Sequence, residues 1–138
     1  MTLTISRALF DQIVDHAVRE HPFEACGVVP GRRGRPQRVV PIANADRTHW
    51  SYRFDPSEQL AAWVEMDERG EDPVVIYHSH TASDAYPSQI DVGNATEPDA
   101  HYVIVSTRGV NDGSVLQFRS FQIRDGGVTE EFVELLDA

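Results

Sequence analysis

A chain of 138 residues, 41% hydrophobic, has the size and apolar content of one domain with a real core, spanning 1–138. A net charge of −10 argues against nucleic acid as a partner, because phosphate binding needs a basic face. Cys26 is the one cysteine, which excludes an intrachain disulfide and a cysteine-rich structural metal site and suits a reducing cytoplasm; no signal peptide is visible, and no apolar run approaches the length of a membrane span.

In chain order, Ser6 reads as an N-cap, and Phe10, Ile13, Val14 and Ala17 follow at helical spacing, in a helix that stops before Pro22. ACGVVPG predicts a short buried strand entering a glycine-rich turn. RVVPIAN predicts a second strand, with Pro41 marking an edge or a bulge. NADRTHWS is loop, and YRF a short extended piece. DPSEQLAAWVEMDERG is a well-punctuated helix: Asp at the N-cap, Pro at N1, Glu at N3 and Gly past the end. DPVVIYHSH is a strand, SQIDVGNAT opens a short third helix, and HYVIVSTR is a core strand. SVLQFRSFQIR is a long strand whose apolar parity shifts between Phe118 and Phe121, which predicts a bulge. Asp125, Gly126 and Gly127 turn the chain into a last strand, VTEEFVELL. Helices interleaved with mixed strands give an α/β (α+β) sandwich around one sheet.

The segment VVIYHSH carries the chemistry. Side chains alternate along a strand, so His78 and His80 point to one face and Ser79 to the other. Their Cα atoms, about 6–7 Å apart on strand rise, allow both imidazoles to converge on one metal ion. Asp91 is the best third ligand, since it follows a loop that can fold back over the strand end. Two histidines and an aspartate leave a fourth tetrahedral position open, the mark of a catalytic rather than a structural zinc site. Ser88 and Asp91 have a competing explanation, because S-x-x-D is a capping-box-like pattern that simply starts a helix. Glu24, read locally, is a surface carboxylate at a helix-to-strand junction.

His78, His80, Ser88 and Asp91 together reproduce the H-[ST]-H-x7-S-x2-D signature, and the chain resembles the JAMM (MPN+) zinc metallopeptidases, with FEACGVVPG supplying the upstream glutamate, Glu24. The resemblance runs across nearly the whole chain and implies a cytidine-deaminase-like sandwich with a curved mixed β-sheet and about three helices. It implies Zn2+ held by His78, His80 and Asp91, with Glu24 as general base and then general acid, and Ser88 donating to the oxyanion. EACGV, VVIYHSHT, AYPS and TEPDAHYVIVST look like the bacterial members that cleave cysteine from the Gly-Gly end of a ubiquitin-like sulfur-carrier protein in cysteine biosynthesis. That substrate rests on resemblance alone. Alternatives are trimming of a carrier precursor, removal of ubiquitin-like conjugates, or a non-catalytic MPN scaffold.

Other features carry less. Arg32, Arg33, Arg35 and Arg38 read as a solvated hairpin turn, with a docking patch for an acidic partner as the other reading. Cys26 reads as a small buried residue. His16, His21, His49 and His101 show no ligand spacing. Trp50, Tyr52 and Phe54 form either core or an aromatic wall near the site, and TASDAYPSQ is a candidate flexible flap over a substrate tail. A homodimer is compatible with the sequence, which does not select an oligomeric state.

Overall fold

The computed structural model describes residues 1–48, 50–110 and 116–137. Its elements run β1 (Thr2–Ser6), α1 (Arg7–Glu20), β2 (Cys26–Arg32), β3 (Arg35–Pro36), β4 (Val40–Ile42), α2 (Pro56–Arg69), β5 (Asp72–His80), α3 (Gln89–Asn94), β6 (His101–Ser106), β7 (Gln117–Arg124) and β8 (Gly127–Leu136). The helix starts are chemical. The Ser6 hydroxyl accepts from Leu9 N–H and the Asp55 carboxylate from Glu58 N–H, satisfying donors that a first turn leaves orphaned. Gly70 closes α2 in the left-handed region, φ 67°. Glu58 does not reach back to its own N-cap; its carboxylate accepts instead from Ala43 N–H, tying α2 to the end of β4.

The strands form one mixed sheet ordered β1-β8-β7-β6-β5-β2-β3, with β4 pairing β2. The β1–β8 and β5–β6 pairs are parallel and the others antiparallel. The sheet curves until β1 approaches β3, so it nearly closes. Core lies on both faces. Under α1 pack Leu3, Ile5, Ile13, Val29, Val75, Tyr77, Val103 and Val105; under α2 pack Val28, Ile42, Met66, Ile76, Ile104 and Phe121. That is why β5 reads as an unbroken apolar run rather than an alternating one.

The bulge expected in β7 is absent. Its pairing with β6 runs without a break from Phe121 opposite Tyr102 to Gln117 opposite Ser106. The apolar parity shifts because β7 is covered on both sides: Phe118 packs on Phe10 of α1 with ring centroids 4.4 Å apart, while Phe121 belongs to the core under α2. The irregularity lies in β2 instead, between Val29 and Pro30, where proline has no N–H for the ladder. The start of the expected strand, Ser114 and Val115, lies outside the described residues, as does His49.

Two arginines of the basic cluster are committed to structure. Arg38 pairs with buried Glu71 at 2.7 Å and with Glu65 at 2.9 Å, and Arg32 donates to the Arg69 carbonyl. Among the described residues, no helix is long and apolar enough to cross a membrane.

Gly27 sits opposite Tyr77 across the β2–β5 pair, and a Cβ there would run into the Tyr77 ring. The Tyr77 hydroxyl is held at 2.7 Å by His16 Nδ1, so the ring has little freedom to yield. Gly27→Ala should destabilise the fold by about 1–3 kcal/mol, an overpacking effect, read as a lower urea midpoint with an unchanged m-value.

Candidate metal centre

Strand β5 delivers His78 and His80 at its C-terminal end, both buried and on one face. Helix α3 delivers Asp91 in its first turn. The three side chains meet: His78 Nε2 and His80 Nε2 are 3.2 Å apart, and Asp91 Oδ2 lies 3.1 Å from the first and 2.9 Å from the second. Tetrahedral ligands with bonds of about 2.0–2.1 Å sit about 3.3 Å apart, so a small divalent cation fits this triangle after a shift of a few tenths of an ångström. Among the described residues these three are the one group of histidine, cysteine and carboxylate side chains placed to hold a metal.

The donor chemistry agrees. His80 Nδ1 lies 2.7 Å from the Asp84 carbonyl, and when it donates there Nε2 is left as a bare lone pair. Burial holds the His78 pKa below the ordinary histidine value, keeping it neutral as a ligand must be. Burial also opposes charge on His80, but its bonds to Asp91 and to the Asp84 carbonyl win and leave its pKa raised. Asp91 shows the same contest. Burial pushes its carboxyl up, yet contacts from His78, His80 and the Ser88 amide hold it far below the usual carboxylate range.

The capping reading of S-x-x-D is realised. The Ser88 hydroxyl accepts from Asp91 N–H at 3.0 Å, and Asp91 Oδ2 accepts from Ser88 N–H at 2.9 Å, a complete capping box. The same carboxylate oxygen that caps α3 therefore faces the histidines. Since Ser88 Oγ is the acceptor in its cap, its own proton stays available to donate.

Glu24 is not a surface carboxylate. It is buried, with 5% of its surface exposed. Cys26 pairs with His78 in the β2–β5 register, so extending that antiparallel ladder sets Glu24 opposite His80, on the face shared by both histidines. Its backbone is clamped: Glu24 N–H donates to the Thr48 carbonyl at 2.9 Å and Asn44 Nδ2 donates to the Glu24 carbonyl at 3.0 Å. Burial raises the Glu24 pKa to about 7, moderated by His80 and reinforced by Asp91.

Ser79 is a residue that sequence reading passed over. Fully buried between the two histidines, it accepts from Ala25 N–H through Oγ at 2.8 Å and donates its own N–H to the Ala25 carbonyl at 3.0 Å. It locks the Glu24 segment to the histidine strand. Of the three aromatics, Tyr52 forms the wall, stacked on His78 with ring centroids 4.4 Å apart; Phe54 stands behind it against Trp63, and Trp50 is exposed. The segment TASDAYPSQ, the candidate flexible flap, is pinned to the rest of the fold. Ala85 N–H donates to Gln117 Oε1, Arg108 pairs with Asp84, and the Ser106 hydroxyl donates to the Ser83 carbonyl. Cys26 is a buried thiol donating to the Ile42 carbonyl, its pKa raised by burial.

This architecture is shared with known proteins. Residues 6–123 match the family of prokaryotic homologs of the JAB domain, and the chain belongs to that family. It is 53% identical over 137 residues to the CysO-cysteine peptidase of Mycobacterium tuberculosis, covering 98% of this chain and 92% of that protein. It is 34% identical over 111 residues to a probable TtuB-protein conjugate cleaving protease of Thermus thermophilus, covering 80% of this chain and 74% of that one. A solution structure of a protein from Desulfitobacterium hafniense superimposes with a TM-score of 0.84 at 32% identity, covering 100% of this chain and 94% of the other. The chain is a hydrolase of the JAB/MPN peptidase type.

Proposed function

We propose that the protein is a zinc-dependent hydrolase that cleaves the amide between the Gly-Gly end of a ubiquitin-like sulfur-carrier protein and a C-terminal cysteine. The observation that carries the chemistry is the convergence of His78, His80 and Asp91 on one point, with Glu24 set opposite His80 on the same face. The substrate is supported by the peptidase name of the 53% identical relative. Two imidazoles and one carboxylate are a donor set that suits zinc with an open fourth position. Zinc bound there would polarise the scissile carbonyl and make water nucleophilic near neutral pH.

The protein's own groups do the rest. The Glu24 carboxylate takes a proton from the attacking water and returns it to the departing amine, so the C–N bond breaks to give a glycine carboxylate and free cysteine. The Ser88 hydroxyl donates to the oxyanion that develops on the glycine carbonyl. Asp84 orients His80, and Tyr52 shields His78 from solvent.

Ser88→Ala should keep the metal and lower kcat by about 10²–10³-fold, the worth of one oxyanion donor, with about 1 kcal/mol of stability lost with the cap. A normal rate in that variant removes the oxyanion role. The working form of Glu24 is the carboxylate, so activity falls as pH drops through its pKa. A cation beside it favours the charged form, so the acid limb of kcat/KM should lie below pH 7 and move up when the metal affinity is weakened.

Intact-mass spectrometry tests the reaction. A carrier ending Gly-Gly-Cys should lose one cysteine residue with the zinc-loaded protein. An intact carrier in the presence of bound zinc overturns the substrate, and cleavage of a carrier–protein conjugate then becomes the reading to test.

A further inference from the structure

Glu24 also lines a cavity of about 230 Å³, together with Phe23, Glu20, Glu58 and Arg47 among others. It is below the size of a drug-like ligand site, about 300–1,000 Å³, and suits one amino acid rather than a length of chain. Arg47 is the unusual member. Its backbone lies in the left-handed region, φ 43°, which residues other than glycine adopt uncommonly. Its guanidinium stands over the Phe23 ring at 5.0 Å, and no carboxylate pairs with it among the described residues, the nearby ion pair running from Arg53 to Asp46. The next residue supplies the carbonyl that accepts Glu24 N–H. The strap that holds the candidate base thus also places a cation at the rim of the cavity beside it.

We infer that this cavity receives the leaving residue and that Arg47 binds its free α-carboxylate, so that the site selects a leaving group that ends in a free carboxylate. The inference rests on the hydrolase reading above. A general acid must touch the amine that departs, so the departing residue lies next to Glu24, and Glu24 forms one wall of this cavity. The product is a zwitterion. Its new ammonium emerges beside Glu24, with Glu20 on the same lining, and its carboxylate meets Arg47, where a guanidinium can grip both oxygens. A leaving group joined to a protein through a lysine side chain carries no such carboxylate.

The test uses a carrier ending Gly-Gly-Cys, prepared once as the free acid and once as the C-terminal amide, with the zinc-loaded protein and its Arg47→Leu and Arg47→Lys variants. The native protein should prefer the acid by about 10- to 100-fold in kcat/KM, the worth of a charge-assisted bond to one carboxylate. In Arg47→Leu the acid-to-amide ratio should fall toward one, and Arg47→Lys should restore part of it. Equal rates on acid and amide with the native protein overturn the inference while leaving the hydrolase reading intact. A ratio unchanged in Arg47→Leu, even with both rates lowered, makes Arg47 merely structural and overturns it too. Cleavage of neither substrate by the native protein overturns the inference together with the carrier–cysteine substrate.

Discussion

Glu24→Gln should lose turnover by about 10²–10⁴-fold, the usual worth of a positioned general base and acid, while keeping its metal and its fold. The substitution is nearly isosteric. The Glu24 carboxylate makes no hydrogen bond to the described residues, so glutamine breaks no contact there. The clamps on this residue are to its backbone, from Thr48 and Asn44, and survive the change. Stability should rise in the metal-free protein. A carboxyl whose folded pKa is raised from 4.5 to about 7 makes the native state bind more protons than the unfolded chain between those values. Native stability is therefore fullest below pH 4.5 and declines as pH climbs through about 7. Above that, the neutral glutamine should gain about 1–3 kcal/mol over the wild type. Metal analysis, thermal melts at pH 5 and pH 8 and single-turnover rates read the three effects separately. Loss of metal or of fold in this variant would sink the assignment of Glu24 as the base.

His80→Ala should abolish metal binding at any practical concentration and take turnover to background. Loss of a group that merely orients a ligand costs about 10–100-fold in affinity, and loss of a ligand itself exceeds that. His80 contributes twice, since Nε2 faces Asp91 at 2.9 Å and Nδ1 holds the Asp84 carbonyl of the pinned loop at 2.7 Å. Asp91→Asn is the gentler companion, because an amide oxygen keeps the cap on Ser88 N–H while removing the charge shared by both histidines. Titration with a chromophoric chelator should rank the wild type far above Asp91→Asn, with His80→Ala last. Full metal occupancy in His80→Ala would remove it from the ligand set. Chelation of the wild type should stop turnover and leave the sheet intact, because the core under α1 and α2 does not depend on the three ligands.

Much of this molecule follows from short-range pattern. Strand parity puts His78 and His80 on one face wherever that strand pairs. Ser6, Asp55, Ser88 and Gly70 start or stop helices through bonds closed within a few residues, and their sequence signals match what forms. β1, which lies ahead of the Ser6 N-cap, follows the same short-range pattern: Leu3 and Ile5 are buried and alternate with exposed Thr2 and Thr4. Other features depend on pairing across long stretches of chain, which no local pattern encodes. Phe118 and Phe121 break parity because β7 is covered on both faces, and that requires α1 and α2 to lie on opposite sides of the sheet. Glu24 becomes a buried carboxylate of raised pKa only because β2 lies antiparallel beside β5 and Ser79 ties the two together. Arg47 reaches the cavity beside it because the loop after β4 is strapped to the Glu24 backbone. The sequence by itself determined which side chains could hold a metal; the tertiary structure decided which carboxylate stands opposite them, because that partner is assembled by contacts between segments far apart in the chain.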